Sequence, residues 1–441
     1  MELFQTIPIY LISNPFFMQH KFLLEYAQAL DSKDTLHHFR EQFYAPELKG
    51  KRAIYFLGNS LGLQPKTARD EVMIILQDWA NFGVEGFFLG NNPWLNYQNK
   101  ITPLLCDIIG ATEEELVTMN HLTVNLHLLM ISFYQPTATR YKIICEAKAF
   151  PSDQYAFQSQ VKLHGFDAAD AIIEVHPKEG TELITTEDII AAIEENKDSV
   201  ALVLFSGINY YTGQVFDMQT ITKAAHKAGA YAGFDLAHAA GNIKLQLHDW
   251  QVDFACWCNY KYLNSGPGAI AGAFIHKRNI SDKNLLRLEG WWGNDANNRF
   301  KMQNTFTATA TAESWAMSTP PIILLAAHKS ALEVFAAAGF HNLLQKSNAL
   351  SEYLFFVLNH INQPVEKFKI ITPANPDERG CQVSFSVHKN AKIIFDQLLP
   401  NGIFADWREP NVIRVAPVPL YNSFEEIFIF AQLLQQILNA A

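Results

Sequence analysis

Short apolar runs alternate with amphipathic segments through the middle of the chain, from about residue 115 to about residue 275. The runs suit buried strands, and the longer segments between them repeat their apolar residues with the 3.6-residue period of a helix. The runs are LVTM, YKIICE, AIIEVH, VALVLF, AYAGF, VDFACWC and AIAGAFIH. Strands that are apolar on both faces and joined by helices are typical of a parallel sheet covered on both sides. The pattern therefore predicts an α/β fold with a mainly parallel sheet flanked by helices.

The two ends of the chain have a different pattern. In the first 50 residues, HKFLLEYAQALDS and DTLHHFREQFYA are helical in pattern. After Pro320 and Pro321 a long apolar helix opens a region of mixed helices and strands. Helices are predicted there near 341–360, 391–399 and 424–438, and strands near 367–372, 380–387 and 411–415. We therefore expect a large domain over 60–320 and a smaller α+β domain that combines 1–59, with an N-terminal arm, and 321–441.

Composition and charge narrow the class of protein. The 441 residues are 49% hydrophobic and 18% charged, with a net charge of −10, which is typical of a globular protein and argues against a nucleic-acid binder. Five cysteines without framework spacing favour a reducing, cytoplasmic setting. The segment MELFQTIPIYLISNP lacks the basic start of a signal peptide, and no apolar stretch approaches 18 residues. We therefore expect a cytoplasmic enzyme with no membrane partner.

Polar side chains follow the predicted strands at the points where the strands end, and ligands bind at that edge of an open α/β sheet. These residues are Ser152 and Asp153 after YKIICE, Ser206 after VALVLF, Asp235 and His238 after AYAGF, and Lys261 after VDFACWC. An acid and a lysine after successive strands suit pyridoxal phosphate. This cofactor needs a lysine amine to bind its aldehyde and a carboxylate beside its ring nitrogen.

Two further features fit the same cofactor. Leu122 and Thr123 open a helix whose N-terminus suits a phosphate, and Phe150 ends a strand where an aromatic face suits a flat ring. Taken alone, each residue also has an ordinary structural explanation. A strand-end Asp is commonly a cap or turn residue, a loop Lys is commonly solvated, and Phe150 suits a core.

Several longer segments, spread from about residue 50 to 425, make the chain resemble the kynureninase family of fold-type-I pyridoxal-phosphate enzymes. These segments are FLGNSLGLQPKT, NHLTVNLHLLMISFYQPT, EAKAFPSDQYAFQSQ, FSGINYYTGQ, FDLAHAAGN, WCNYKYLNSGPGAIAGAFIHKR, GWWGND and IRVAPVPLYNSF. A strand, a loop and a lysine alone are shared with cysteine desulfurases and many aminotransferases. FPSD, YKYLN and GWWG together are far narrower.

The resemblance implies roles for individual residues. Lys261 would be the Schiff-base lysine, Asp235 the partner of the pyridine nitrogen, and Tyr260 a phosphate ligand and proton shuttle. The other implied cofactor-binding residues are Leu122, Thr123, Phe150, Ser152, Asp153, Ser206 and His238, with Trp291 and Thr319 from the neighbouring subunit of a homodimer. The implied substrate-binding residues are Arg414, which would bind the α-carboxylate, and Ser60, Phe87 and Asn294.

The implied reaction is the hydrolysis of L-kynurenine to anthranilate and L-alanine, a step of tryptophan catabolism and NAD biosynthesis. The chain departs from the family at Asn294, where His is usual after the GWxG turn. It also departs at Phe87 and Thr319, where some members carry His and Asn. An Asn does not titrate near neutral pH. An apolar Phe87 would leave a ring hydroxyl without a hydrogen-bond partner, which favours kynurenine over 3-hydroxykynurenine.

Other interpretations of the sequence stay open at this point. GNSLG matches G-x-S-x-G, which would make Ser60 the nucleophile of a serine hydrolase, although Leu63, Gln64 and Pro65 separate it from the next helix. A cysteine desulfurase would need a reactive thiol, for which Cys381 is the late candidate. A non-catalytic cofactor-binding protein would not need to keep Lys261, Asp235 and Arg414. Cys256 and Cys258 suit buried small hydrophobes, and we expect no metal site.

Overall fold

The structure is a computed structural model, and it describes residues 20–440. The predictions that concern the first nineteen residues lie outside this range. They are the N-terminal arm and the absence of a targeting signal.

The strands and helices follow the predicted order. The strands are β1 (Phe43–Tyr44), β2 (Glu47–Leu48), β3 (Lys51–Arg52), β4 (Ile54–Tyr55), β5 (Gln64–Pro65), β6 (Leu116–Thr118), β7 (Lys142–Glu146), β8 (Ile172–Val175), β9 (Val200–Ser206), β10 (Tyr231–Asp235), β11 (Phe254–Cys258), β12 (Ala271–Ile275), β13 (Phe368–Ile370), β14 (Val383–Val387), β15 (Ile403–Phe404), β16 (Asp406–Arg408) and β17 (Val412–Val415). The α-helices are α1 (Leu24–Asp31), α2 (Ala68–Phe82), α3 (Thr102–Ile109), α4 (Leu122–Phe133), α5 (Pro151–Leu163), α6 (Ala168–Ala171), α7 (Thr186–Glu195), α8 (Met218–Lys227), α9 (Lys277–Ile280), α10 (Ala296–Arg299), α11 (Ile322–Ala338), α12 (Phe340–Ile361), α13 (Ala391–Asp396) and α14 (Phe424–Ala440).

A seven-stranded sheet forms the centre of the fold, with the order β6-β12-β11-β10-β9-β7-β8. The five strands from β8 to β11 are parallel to their neighbours, and β12 runs antiparallel to both β11 and β6. β10 and β11 are almost entirely buried, which explains their apolar sequences. The predicted α/β fold with a mainly parallel sheet is therefore confirmed.

The register of the central strands places functional candidates side by side. Asp235 at the end of β10 lies opposite Ser206 of β9 and Cys256 of β11. Because these strands are parallel, the loops that carry His238 and Lys261 leave from the same edge of the sheet.

A second, antiparallel sheet has the order β13-β14-β17-β16. The N-terminal part of the chain joins this region through β4, which pairs in parallel with β15. Ala27 and Phe56 also belong to the same buried cluster as residues of α12 and α14. Within this sheet Arg414 lies opposite Ser384 on one side and Asp406 on the other.

One helix predicted near the start of the chain is wrong. DTLHHFREQFYA is helical in pattern, but the structure has a 3₁₀-helix over His37–Gln42 followed by β1. Phe39 is the buried residue of that short helix, so one buried side chain takes the place of the apolar stripe that an α-helix would have.

Among the described helices, none is long and apolar enough by itself to cross a membrane. α11 and α12 are long and apolar enough only as a pair, and they are bent by 80° relative to each other.

Candidate active site

A cleft opens at the carboxyl edge of the central sheet, where the predicted residues converge. It encloses about 530 Å³ of empty space, part of it open to solvent. Its lining includes ten of the predicted residues, namely Leu122, Thr123, Phe150, Ser152, Asp153, Ser206, Asp235, His238, Tyr260 and Lys261. It also includes Glu146, Ile208, Tyr210 and Ala237, which the sequence reasoning did not select.

Lys261 and His238 are in direct contact in this cleft. The Nζ atom of Lys261 lies 3.0 Å from Nε2 of His238 and 5.9 Å from the centre of the Phe150 ring. Burial, together with the charges of Lys261, Arg414 and Arg408, lowers the pKa of His238 well below its usual value. A neutral His238 accepts a hydrogen bond from Lys261 through Nε2, and its buried Nδ1 then has no partner among the described residues.

Two buried carboxyl groups, Asp153 and Asp235, face each other beside Lys261. Burial raises the pKa of both. The hydrogen bond between them raises the pKa of Asp153 further and lowers that of Asp235. The Ala237 backbone N–H, 2.6 Å from Asp235 Oδ1, also lowers the pKa of Asp235, so Asp235 is the more acidic of the two. Within residues 20–440 the Asp153 Oδ1 atom has no hydrogen-bond partner.

Glu146 adds a third carboxyl group at the end of β7. Its oxygens accept hydrogen bonds from the Ser206 backbone N–H at 3.1 Å and from Ser206 Oγ at 2.5 Å. Burial raises the pKa of Glu146 to about 7. The apolar pattern does not indicate this role, because Glu146 ends an otherwise apolar strand and its partner is 60 residues away.

One side of the cleft is suited to an anion. α4 begins at Leu122, and its first backbone N–H groups have no partner within the helix. The hydroxyl groups of Thr123 and Ser152 lie 2.8 Å apart, at the starts of α4 and α5. Phe150 is 42% exposed and presents its ring to the cleft, with the Tyr210 ring edge-on against it at 5.3 Å.

Arg414 lies behind Tyr210, next to the cleft. Its guanidinium donates hydrogen bonds to the Tyr210 carbonyl and to the Asp406 carboxylate, and its side chain is fully buried. Ser60 Oγ donates to the same Asp406 oxygen at 2.8 Å. The predicted substrate-binding residues Ser60 and Arg414 therefore meet through Asp406, which sequence reasoning did not select.

Besides Ser60 and Arg414, which lie next to the cleft, four predicted residues do not line it in the single chain. Trp291 and Thr319 are exposed, and Trp291 donates a hydrogen bond to the Arg299 carbonyl at 3.3 Å. Phe87 packs edge-on against Trp94. Asn294 is buried and accepts a hydrogen bond from the Thr307 backbone N–H at 2.9 Å.

The geometry around Ser60 and Cys381 does not favour a serine hydrolase or a cysteine desulfurase. Among the described residues no histidine hydrogen-bonds Ser60, so it lacks the base that a hydrolase nucleophile requires. Cys381 is fully buried, and burial raises the pKa of its thiol to about 12, which does not suit a reactive cysteine.

A cluster of possible metal ligands, Glu115, His248 and His276, lies away from the cleft residues. Glu115 accepts hydrogen bonds from two backbone N–H groups and contacts His248 at 2.9 Å. His276 Nδ1 accepts a bond from the Arg278 backbone N–H. These side chains thus already form hydrogen bonds with one another or with the backbone. The absence of a metal site stays a prediction.

Comparison with known proteins identifies the family to which this chain is similar. Residues 343–434 match the model of the kynureninase C-terminal domain. The kynureninase of Flavobacterium psychrophilum is 54% identical over 414 residues, which cover 94% of this chain and 97% of that protein. The kynureninase of Homo sapiens is 46% identical over 432 residues, which cover 93% of this chain and 92% of that protein.

Solved structures show the same fold at lower identity. The cysteine desulfurase of Thermococcus onnurineus NA1 has a TM-score of 0.71 at 17% identity, over 88% of this chain and 95% of that one. A C-DES mutant with glycine covalently linked to its PLP cofactor has a TM-score of 0.73 at 17% identity, over 90% of this chain and 98% of that one. The high identity to the two kynureninases over nearly the whole length decides between these groups. The chain belongs to the kynureninase family.

Proposed function

We propose that this chain binds pyridoxal phosphate and hydrolyses the Cβ–Cγ bond of L-kynurenine, which gives anthranilate and L-alanine. The observation that carries the proposal is the contact of Lys261 with neutral His238, beside the buried pair Asp153–Asp235, in a chain 54% identical to a kynureninase. A lysine placed against an uncharged imidazole and an anionic carboxylate suits a group that must alternate between binding an aldehyde and moving a proton.

The side chains of the cleft fit this cofactor. Two buried polar atoms, Asp153 Oδ1 and His238 Nδ1, have no partner in the described part of the chain. The carboxyl groups of Glu146, Asp153 and Asp235 line the same cleft as Lys261. This excess of carboxyl groups favours a cationic ring nitrogen beside Asp235. Leu122 and Thr123, with Ser152 and Tyr260, would hold the phosphate, and Phe150 would cover the ring. Ser206, held by Glu146, would complete the contacts.

Bound pyridoxal phosphate supplies an electron sink that stabilises negative charge at the substrate's Cα. Lys261 is the residue placed to remove the Cα proton and to return a proton to the product. His238 stays neutral next to it and accepts a hydrogen bond from its Nζ atom.

Tyr260 and Arg414 serve the substrate in this proposal. Burial raises the pKa of Tyr260, so its hydroxyl stays protonated and donates to the oxygen that gains charge when water adds to the γ-carbonyl. Arg414 binds the α-carboxylate through its planar guanidinium. Phe87 would lie near the substrate's aromatic ring and favour kynurenine over 3-hydroxykynurenine. Asn294, in place of the usual His, would have no titrating role.

We also propose that two chains form a homodimer in the cytoplasm and act in tryptophan catabolism or NAD biosynthesis. The exposed positions of Trp291 and Thr319, outside the cleft of their own chain, support their use in a neighbouring chain's site. The division into a large domain (60–320) and a small domain (1–59 and 321–441) stays a proposal. The pairing of β4 with β15 supports it.

The absorption spectrum of the purified protein tests the cofactor assignment. We expect a band at about 420 nm that disappears in Lys261→Ala and persists in Lys283→Ala, an exposed control lysine. Release of fluorescent anthranilate from L-kynurenine, by the wild type and not by Lys261→Ala, tests the reaction. A band unchanged in Lys261→Ala would refute the cofactor role of this lysine.

A further inference from the structure

Asp406 lies at the centre of a charged cluster at the edge of the small sheet. Its Oδ2 atom accepts hydrogen bonds from Arg414, from Arg408 at 3.2 Å and from Ser60 at 2.8 Å. Arg414 lies opposite Asp406 on the neighbouring antiparallel strand, and Arg408 is two residues along the same strand, so all three occupy one face of the sheet. Ser60 comes from a turn 346 residues away in sequence.

The charges of this cluster do not balance. Two guanidinium groups share one carboxylate, and among the described residues no other carboxylate forms an ion pair with either arginine. The remaining partner of Arg414 is the neutral Tyr210 carbonyl, and over the same residues the buried Nε atoms of Arg414 and Arg408 have no partner. Asp406 can neutralise only one of the two guanidinium charges, so the cluster keeps a net positive charge that one more anion would balance.

We propose that Asp406 is a positioning residue for the substrate's α-carboxylate. It holds Arg414, Arg408 and Ser60 together and neutralises one of the two guanidinium charges, which leaves a single positive charge for a single carboxylate. This inference rests on the proposed function, because it takes Arg414 as the residue that binds the carboxylate. The cluster thereby selects amino acids over amines that lack the carboxyl group.

The test compares two ligands of the holoenzyme that differ only in that group. L-Alanine carries the carboxylate, and ethylamine is the same molecule without it. Their binding is measured by titration of the cofactor's absorption spectrum. We expect Asp406→Asn to weaken L-alanine at least about tenfold and to leave ethylamine within about twofold. The loss of the charge-assisted hydrogen bond that positions Arg414 outweighs the gain of one net positive charge in the cluster. For L-kynurenine we expect a raised KM with kcat little changed.

Two further variants separate positioning from general damage. Arg408→Gln alters a side chain that is one-third exposed, so it tests the charge count with little risk to folding. We expect it to weaken L-alanine about threefold or more and to spare ethylamine, because the net charge of the cluster falls to zero. Asp396→Asn, an exposed acid on α13 that pairs with Lys392, is the control and should change neither ligand.

The outcomes distinguish failure of this inference from failure of the proposed function. If Arg414→Gln loses L-alanine binding but Asp406→Asn does not, Asp406 has no positioning role and the function of Arg414 stands. If Arg414→Gln leaves L-alanine binding unchanged, the assignment of Arg414 itself is wrong. Equal losses for both ligands, or tighter L-alanine binding, in Asp406→Asn would also overturn the inference.

Discussion

Glu146 is a buried carboxyl group whose ionisation should be visible in the stability of the protein. Burial raises its pKa from 4.5 to about 7, so the folded chain binds a proton that the unfolded chain releases. This contribution is complete below pH 4.5 and is lost as the pH rises through 7. We expect the unfolding free energy of the cofactor-free wild type to fall relative to that of Glu146→Gln as the pH rises, by about 2.5 kcal/mol between pH 5 and 8. Urea unfolding at several pH values measures the difference.

Ser206→Ala is the matched control for this prediction, because it removes a hydrogen-bond donor to Glu146 and leaves the titrating group in place. Its stability should keep a pH dependence in the same direction. A constant difference between the wild type and Glu146→Gln across this range would contradict the raised pKa.

Some residues of the candidate site could be predicted from the sequence and others could not. Lys261, Asp235 and His238 could be found because each follows an apolar strand, and parallel strands bring such ends together. Glu146 and Asp406 could not be found in this way. Their importance depends on partners such as Ser206 and Arg414, and these pairings exist only after the strands have taken their register.

The turn that contains Gly62 supports the loop of the candidate catalytic lysine. The Gly62 N–H donates to the Tyr260 carbonyl at 2.8 Å. A Cβ atom on Gly62 would clash with the Lys261 carbonyl and the Asn264 side chain, and would lie 2.8 Å from Asn264 Cα. We expect Gly62→Ala to cost about 1–3 kcal/mol of unfolding free energy and to lower kcat by displacing Lys261. Thermal unfolding and anthranilate release measure the two effects.

Gly180→Ala is the control for the clash. Gly180 has a φ of +83°, and a Cβ atom added to it would have no described atom within 4 Å, so alanine there adds backbone strain alone. We expect Gly180→Ala to leave kcat unchanged. Gly62→Ala with wild-type kcat would show that the turn does not position the lysine loop.

Element types were more predictable than their lengths or their packing. The period of apolar residues identifies α2, α4 and α8, because α2 and α8 each bury one face and α4 buries most of its residues. The same period failed over 34–45, where a 3₁₀-helix and a short strand replace the expected helix. The support that GNSLG gives to the lysine loop could not be predicted, since the two segments are about 200 residues apart.

The net charge of −10 argues against a nucleic-acid partner but says little about a substrate that carries a carboxylate. The charges expected to act on the substrate are those of a few buried residues near the cleft. Arg414 is fully buried, and Lys261 lies among three carboxyl groups, so their surroundings and not the total charge set their chemistry. Composition therefore constrained the class of protein, and the polar residues at the strand ends predicted the position of the candidate site.

The proposed dimer makes a prediction for mixtures of inactive chains. If Trp291 serves the neighbouring chain's site, Lys261→Ala and Trp291→Ala should each lose most activity. A hybrid dimer of the two would contain one site with both residues intact. Random exchange would give hybrids as half of the dimers, so activity should recover to about a quarter of the wild-type value. A mixture of Lys261→Ala with Asp235→Ala, whose defects lie in the same cleft, should recover none. If hybrids formed in the first mixture, as detected by native mass spectrometry, and activity stayed absent, the site would not be shared through Trp291.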